Sequence, residues 1–193
     1  FADERVSAFS WALKDERLIF AMDQDGNERH QLYLHSPGGA DAVQLTGAPE
    51  VKHIIGPWSP DGDAIAYANN RRDPAFFDIY VQEVTNGEPR MVYRDDGSNS
   101  AVAWSPDGRY LVLSRSNTYL YNDLLLLDLE SEETRRLTPD GELASFGILG
   151  EIDCRGVSWD RDSKGLYLTT NQGHEFRALA YIDVAGGELA YLA

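Results

Sequence analysis

A single cysteine, Cys154, occurs in 193 residues, so no disulfide can form within the chain. That usage fits a reducing compartment, and a cytoplasmic location is expected. Long apolar runs are missing too: nothing approaches the roughly 20 residues that span a bilayer. No basic, then apolar, then small-residue leader opens the chain, which begins in mid-pattern at Phe1. Positive charge is scarce, with 17 Lys and Arg against 32 Asp and Glu, a net charge of −15. Such a surface repels phosphate backbones and anionic lipid, which excludes nucleic acid and membrane as partners, and solubility explains the surplus. Catalytic motifs are absent as well. No Gly-x-Ser-x-Gly elbow exists, no glycine-rich phosphate loop exists, and His30, His35, His53 and His174 have neither metal-ligand spacing nor an adjacent nucleophile. Asp23-x-Asp25-x-Asn27 imitates a calcium loop, but Gly26 falls two positions early and Leu34 stands where the twelfth-position Glu belongs. No catalytic residue, metal or cofactor is expected.

What is present is a repeat. Trp58-Ser59-Pro60-Asp61-Gly62 returns as Trp104-Ser105-Pro106-Asp107-Gly108, and weaker copies follow Trp11 and Trp159. Ser-Pro-Asp-Gly suits a type I turn, because Pro presets φ at the second position and Gly accepts the exit geometry. Seven residues after each Trp stand Leu18, Ile65, Leu111 and Leu166, and nine after stand Phe20, Tyr67, Leu113 and Leu168. That period of two reads as a strand with one buried face. A third apolar run, a turn and a short fourth strand complete each unit. Four antiparallel strands in about forty-five residues describe a β-propeller blade. The fold class is therefore all-β, a β-propeller of about four blades, roughly 5–46, 53–94, 100–138 and 154–192. Leucine-rich, ankyrin and immunoglobulin-like architectures fit this repeat less well. Trp11, Trp58, Trp104 and Trp159 are expected to anchor the blades, each closing an innermost strand and wedging against the neighbouring blade.

The loops joining second to third strands are expected on one face, opposite the Ser-Pro-Asp-Gly turns. They collect Arg71, Arg72, Phe76 and Phe77 in blade two, Arg115 and Tyr119 in blade three, and His174 and Glu175 in blade four. Paired arginines with aromatics exceed what a connection requires, and Arg forks suit carboxylates. These eight residues are the candidate contacts for substrate or a domain interface. The plain alternative is that the arginines pair with surface acids and the rings pack on the blade. The connection 139–158 is about ten residues longer than its counterparts, either a flap or a spare hairpin.

The repeated Trp-Ser-Pro-Asp-Gly, the stretch Gly26-Asn27-Glu28-Arg29-His30-Gln31-Leu32-Tyr33 and the segment Asn70-Arg71-Arg72-Asp73-Pro74 through Asp78-Ile79-Tyr80-Val81 resemble the propeller of the prolyl oligopeptidase family of serine peptidases, closest to its acylaminoacyl-peptidase and dipeptidyl-peptidase-like branch. The Trp-turn unit is shared with the periplasmic Tol propeller. The resemblance implies a non-catalytic portion of a seven- or eight-bladed propeller that gates peptide substrate toward an α/β-hydrolase domain of the same parent chain. None of that family's Ser, Asp and His triad maps onto this sequence. Two other readings stand beside it: a self-contained protein-binding propeller of the Tol or scaffold kind, periplasmic in that case, and a glycan-processing propeller for which no carboxylate pair can be nominated. An open arc of blades is also expected to allow self-association through its edges.

Overall fold

The computed structural model describes residues 4–39, 41–116, 121–138 and 152–192. No helix occurs among them; they form sixteen strands in four successive groups of four. The first group is β1 (Val6–Trp11), β2 (Leu18–Met22), β3 (Gln31–His35) and β4 (Val43–Gln44), and the second is β5 (His53–Trp58), β6 (Ala64–Asp73), β7 (Phe76–Glu83) and β8 (Arg90–Tyr93). The third is β9 (Ser98–Trp104), β10 (Tyr110–Ser116), β11 (Asn122–Asp128) and β12 (Thr134–Arg136), and the last is β13 (Cys154–Trp159), β14 (Gly165–Thr170), β15 (Ala178–Asp183) and β16 (Leu189–Tyr191). Within each group, strands pair in chain order, the meander of a propeller blade. One parallel bridge, Phe77 with Ser98, joins the start of β9 to β7. The chain divides into two compact units, Phe1–Ala101 and Val102–Ala193.

The Trp-turn is the local cause of each hairpin. In blade two the Gly62 N–H donates to Ser59 O at 2.9 Å and Gly62 takes a φ of 79°, which a residue with a Cβ adopts only at a cost. The buried Ser59 hydroxyl donates to Asp61 Oδ1 and accepts from Ala64 N–H, so it ties the turn to the next strand. Blade three repeats this, with Ser105 bonded to Asp107 and to Tyr110 N–H, and Gly108 at φ 81°. In blade four Asp160 takes the serine's place, accepting from Asp162 and Lys164 N–H. The innermost strands β5 and β13 are irregular just before their Trp, at Gly56-Pro57 and Gly156. A Cβ on Gly56 would lie 2.5 Å from Ala66 O, so glycine is required for the close approach of β6.

The core of each unit lies between consecutive sheets. In the first, Ile19, Ala21, Leu32 and Leu34 of blade one meet Trp58, Ile65 and Tyr67 of blade two. In the second, Val112, Leu124 and Leu126 of blade three meet Cys154, Leu166 and Leu168 of blade four. Residues seven and nine after each Trp are buried in blades two to four, as the period of two predicts. Blade one departs from this: Leu18 and Phe20 are only half-buried, and Ile19 and Ala21 fill the core instead. The reason is directional. In blades two and four the face seven and nine after the Trp turns toward the preceding blade of the same unit, and no sheet precedes blade one among the described residues.

The same geometry corrects the expectation for the tryptophans. Trp58 is 3% exposed and its Nε1–H donates to Ser10 O of blade one at 3.1 Å. Trp159 stacks on Tyr110 of blade three, centroids 6.2 Å apart. Trp104 donates Nε1–H to Gly108 O in its own turn. Trp11, expected to wedge like the others, is 56% exposed beside exposed Phe9 and Leu13, because its outer face meets no neighbouring sheet among the described residues.

Candidate functional site

Strand β6 carries Arg71 and Arg72 on opposite faces, by the alternation of a strand, and that parity separates their roles. Arg72 faces Asp78, whose side chain is fully buried: Nε donates to Oδ2 at 2.9 Å and Nη2 to Oδ1 at 3.0 Å. Its remaining donors reach Asp96 Oδ1 at 2.8 Å and Asp95 O at 3.0 Å, and the guanidinium lies over the Phe76 ring at 5.2 Å. The Asp78 and Asp96 carboxylates raise its pKa above the ordinary arginine value. Arg72 thus neutralises a buried acid and pins the 95–96 loop, with its fork already occupied.

Arg71 is exposed, and only its backbone is bonded, to Asn69 Oδ1 at 3.1 Å; its guanidinium meets no acceptor among the described residues. It stands at one end of a groove of about 510 Å³ between blade one and blade two, lined by Leu45, Thr46, His53, Tyr67, Gln82 and Glu83 among others. His53 is buried, its pKa pushed down to about 4 by burial, with the Arg71 charge adding to the shift against the pull of the His30 carbonyl. Its ring lies 5.8 Å from that of Tyr67. Burial pushes Tyr67 up to about 12, so its hydroxyl stays protonated and donates to Gln82 Oε1 at 3.0 Å. Gln82 Nε2 in turn donates to Leu45 O and Gly87 O, bridging the two blades.

The other predicted contacts are dispersed. Phe76 and Phe77 are half-buried, Phe76 under Arg72 and Phe77 with its backbone bonded to Gly97 and Asn99. Arg115, half-buried, stands opposite Asp123 in the β10–β11 register. His174 is exposed with its ring edge-on to Tyr191, centroids 4.6 Å apart, and Glu175 is exposed beside it. Tyr119 and most of the 139–158 connection lie outside the described residues. The predicted set therefore divides between the units, with Arg71, Arg72, Phe76 and Phe77 in the first and Arg115, His174 and Glu175 in the second. His53, Tyr67 and Gln82 were missed by sequence reasoning. Their signal was a departure from the repeat: counted from the Trp, His53 corresponds to Cys154, Tyr67 to Leu168 and Arg71 to Gln172. Among the described residues, no cluster of three or more His, Cys, Asp or Glu is placed to hold a metal ion.

Residues 12–188 match the family described as TolB beta propeller domain. The chain belongs to that family. This TolB-type propeller is 34% identical over 128 residues to a Podospora anserina protein named "Probable dipeptidyl-aminopeptidase B", a stretch covering 55% of this chain and 14% of the relative. It superposes on a solved prolyl endopeptidase structure with a TM-score of 0.76 at 13% identity, covering 98% of this chain and 29% of the other. TolB from Acinetobacter baumannii gives a TM-score of 0.67 at 20% identity, covering 92% and 41%. The propeller is thus shared by peptidases and by TolB, and the chain spans a minor fraction of the length of each.

Proposed function

We propose that this chain is the non-catalytic propeller portion of a prolyl-oligopeptidase-type serine peptidase, admitting peptides to an α/β-hydrolase domain that supplies the nucleophile. The observation that carries this reading is the 34% identity to a protein named as a dipeptidyl-aminopeptidase, over a stretch that lies in the propeller repeat. The end of strand β6 that carries Arg71 is the surface proposed to meet substrate or the hydrolase, while Arg72 acts structurally. The chain alone is expected to leave acyl-peptide and dipeptide chromogenic substrates intact, whereas the full-length protein that contains it reacts with a fluorophosphonate probe. A full-length protein without a reactive serine overturns the reading.

A second reading, a protein-binding propeller that works without any hydrolase, is favoured by the family match and the likeness to TolB. Stoichiometric retrieval of one partner protein, with no hydrolase in the full reading frame, supports it.

A further inference from the structure

The groove between blade one and blade two has an internal control, because the second unit packs blade three on blade four in the same way. At the positions of His53 and Tyr67 the second unit places Cys154 and Leu168, and Ile182, which pairs Leu166, takes the place of Gln82, which pairs Ile65. Those three residues belong to its apolar core. Blade packing in this chain therefore accepts apolar groups at these three positions, and the first unit nevertheless buries His53 and Gln82 beside Tyr67, whereas its buried Asn69 and Thr46 have buried polar counterparts in Thr170 and Thr138. Burying hydrogen-bonding groups where apolar ones suffice is unfavourable or neutral for stability, and here Tyr67, Gln82 and His53 are satisfied by Leu45, Gly87 and His30, which leaves Arg71 as the seam's group without a partner among the described residues.

What it can hold follows from charge. Arg71 is a cation without an acceptor among the described residues, in a chain with 32 acidic residues. The two titratable rings beneath it, His53 and Tyr67, are both neutral at pH 7 and leave its charge uncompensated. The far end of the groove is acidic: Glu83 and Glu88 are exposed there, and Glu83 pairs Ala64, seven residues along β6 from Arg71. At about 3.3 Å per residue the two ends are separated by about 23 Å, the span of some seven extended residues. Val43 and Gln44 of β4, the two-residue edge strand of blade one, also line the groove and offer an edge for a strand-like ligand.

We propose that this groove binds an extended peptide by its carboxylate, which Arg71 receives as a bidentate pair, with the peptide chain running along β4 toward Glu83 and Glu88. The planar fork of Arg71 supplies two parallel N–H donors, and the protonated Tyr67 hydroxyl has a lone pair left for a bridging water or a peptide N–H. The proposal names a ligand group for Arg71, which the functional reading above leaves open, and stands on the groove alone, whether or not a hydrolase accompanies the propeller.

The test is calorimetric titration of the 193-residue chain with three pentapeptides: acetyl-pentaalanine with a free terminal carboxylate, the same peptide as its amide, and an amidated acetyl peptide with glutamate at its centre. At least one carboxylate-bearing peptide is expected to bind about tenfold or more tighter than the neutral amide. The tighter of the two acids identifies a terminal or a side-chain carboxylate as the recognised source. Arg71→Gln abolishes the preference with an unchanged melting temperature, since the guanidinium makes no internal bond, and Arg71→Lys retains part of it. Equal binding of acid and neutral peptides, no binding of any peptide, or a preference that survives Arg71→Gln overturns the proposal. None of those outcomes bears on whether the full-length protein carries a reactive serine, so the two ideas fail separately.

Discussion

Replacing Trp58 and Trp11 in turn tests whether the indole acts by position in the repeat or by what lies against it. A Trp side chain presents about 200 Å², of which Trp58, at 3% exposure, withdraws nearly all from water. At about 25 cal/mol per Å² that is about 5 kcal/mol, within the range measured for large-to-small core substitutions. Truncation to Ala also removes the bond from Nε1–H to Ser10 O and the platform beneath the Arg17 guanidinium, which lies 5.6 Å from the ring. Trp11, at 56% exposure, withdraws less than half as much, so the same arithmetic gives about 2 kcal/mol. In a chain of this size about 1 kcal/mol moves the melting temperature by about 2–4 °C. Trp58→Ala is therefore expected to lower it by about 10–20 °C and Trp11→Ala by about 4–8 °C, read by far-ultraviolet circular dichroism. A Trp11→Ala shift equal to or larger than that of Trp58→Ala refutes the reasoning, because it would make the motif rather than the packing decisive.

Three further outcomes are expected. Gly62→Ala should destabilise by about 1–2 kcal/mol in urea titrations through its φ of 79° alone, while Gly47→Ala, which meets nothing within 4 Å and has no positive φ, should be nearly neutral. His53 is pushed down to about 4 in the folded chain, so between that value and its ordinary 6.5 the unfolded chain binds more protons. Its stabilisation is therefore complete above pH 6.5 and is lost as pH falls to about 4, by at most about 3 kcal/mol. The slope of unfolding free energy against pH over that window should flatten in His53→Gln, and an unchanged slope contradicts the assignment. Arg72→Ala, which strands the buried Asp78 carboxylate, should lower the melting temperature clearly, whereas Arg71→Ala should leave it nearly unchanged; equal shifts would show that Arg72 does not hold that acid.

The blade repeat was legible in the chain because its causes are local. A Ser-Pro-Asp-Gly turn, a period of two after it and an aromatic before it are properties of neighbouring residues, and Trp58 pairs Ile65 and Trp159 pairs Leu166 as the seven-residue spacing requires. Even the absence of a nucleophile elbow is a local property. The two arginines were legible only as a pair. Asp78 is six residues from Arg72 and Asp96 twenty-four, so no short pattern distinguishes the arginine that neutralises them from the one left over.

By itself, then, the sequence determined that this chain meanders through four-stranded sheets, since backbone turn geometry and side-chain alternation act within a few residues. Tertiary structure decided which face of each sheet is covered, and hence why Trp58 is buried and Trp11 is not. It also decided that Arg72 is spent on a buried acid while Arg71 faces a groove beside His53 and Tyr67. Burial and charge pairing depend on which surfaces meet across tens of residues, and that is settled only when the sheets stack.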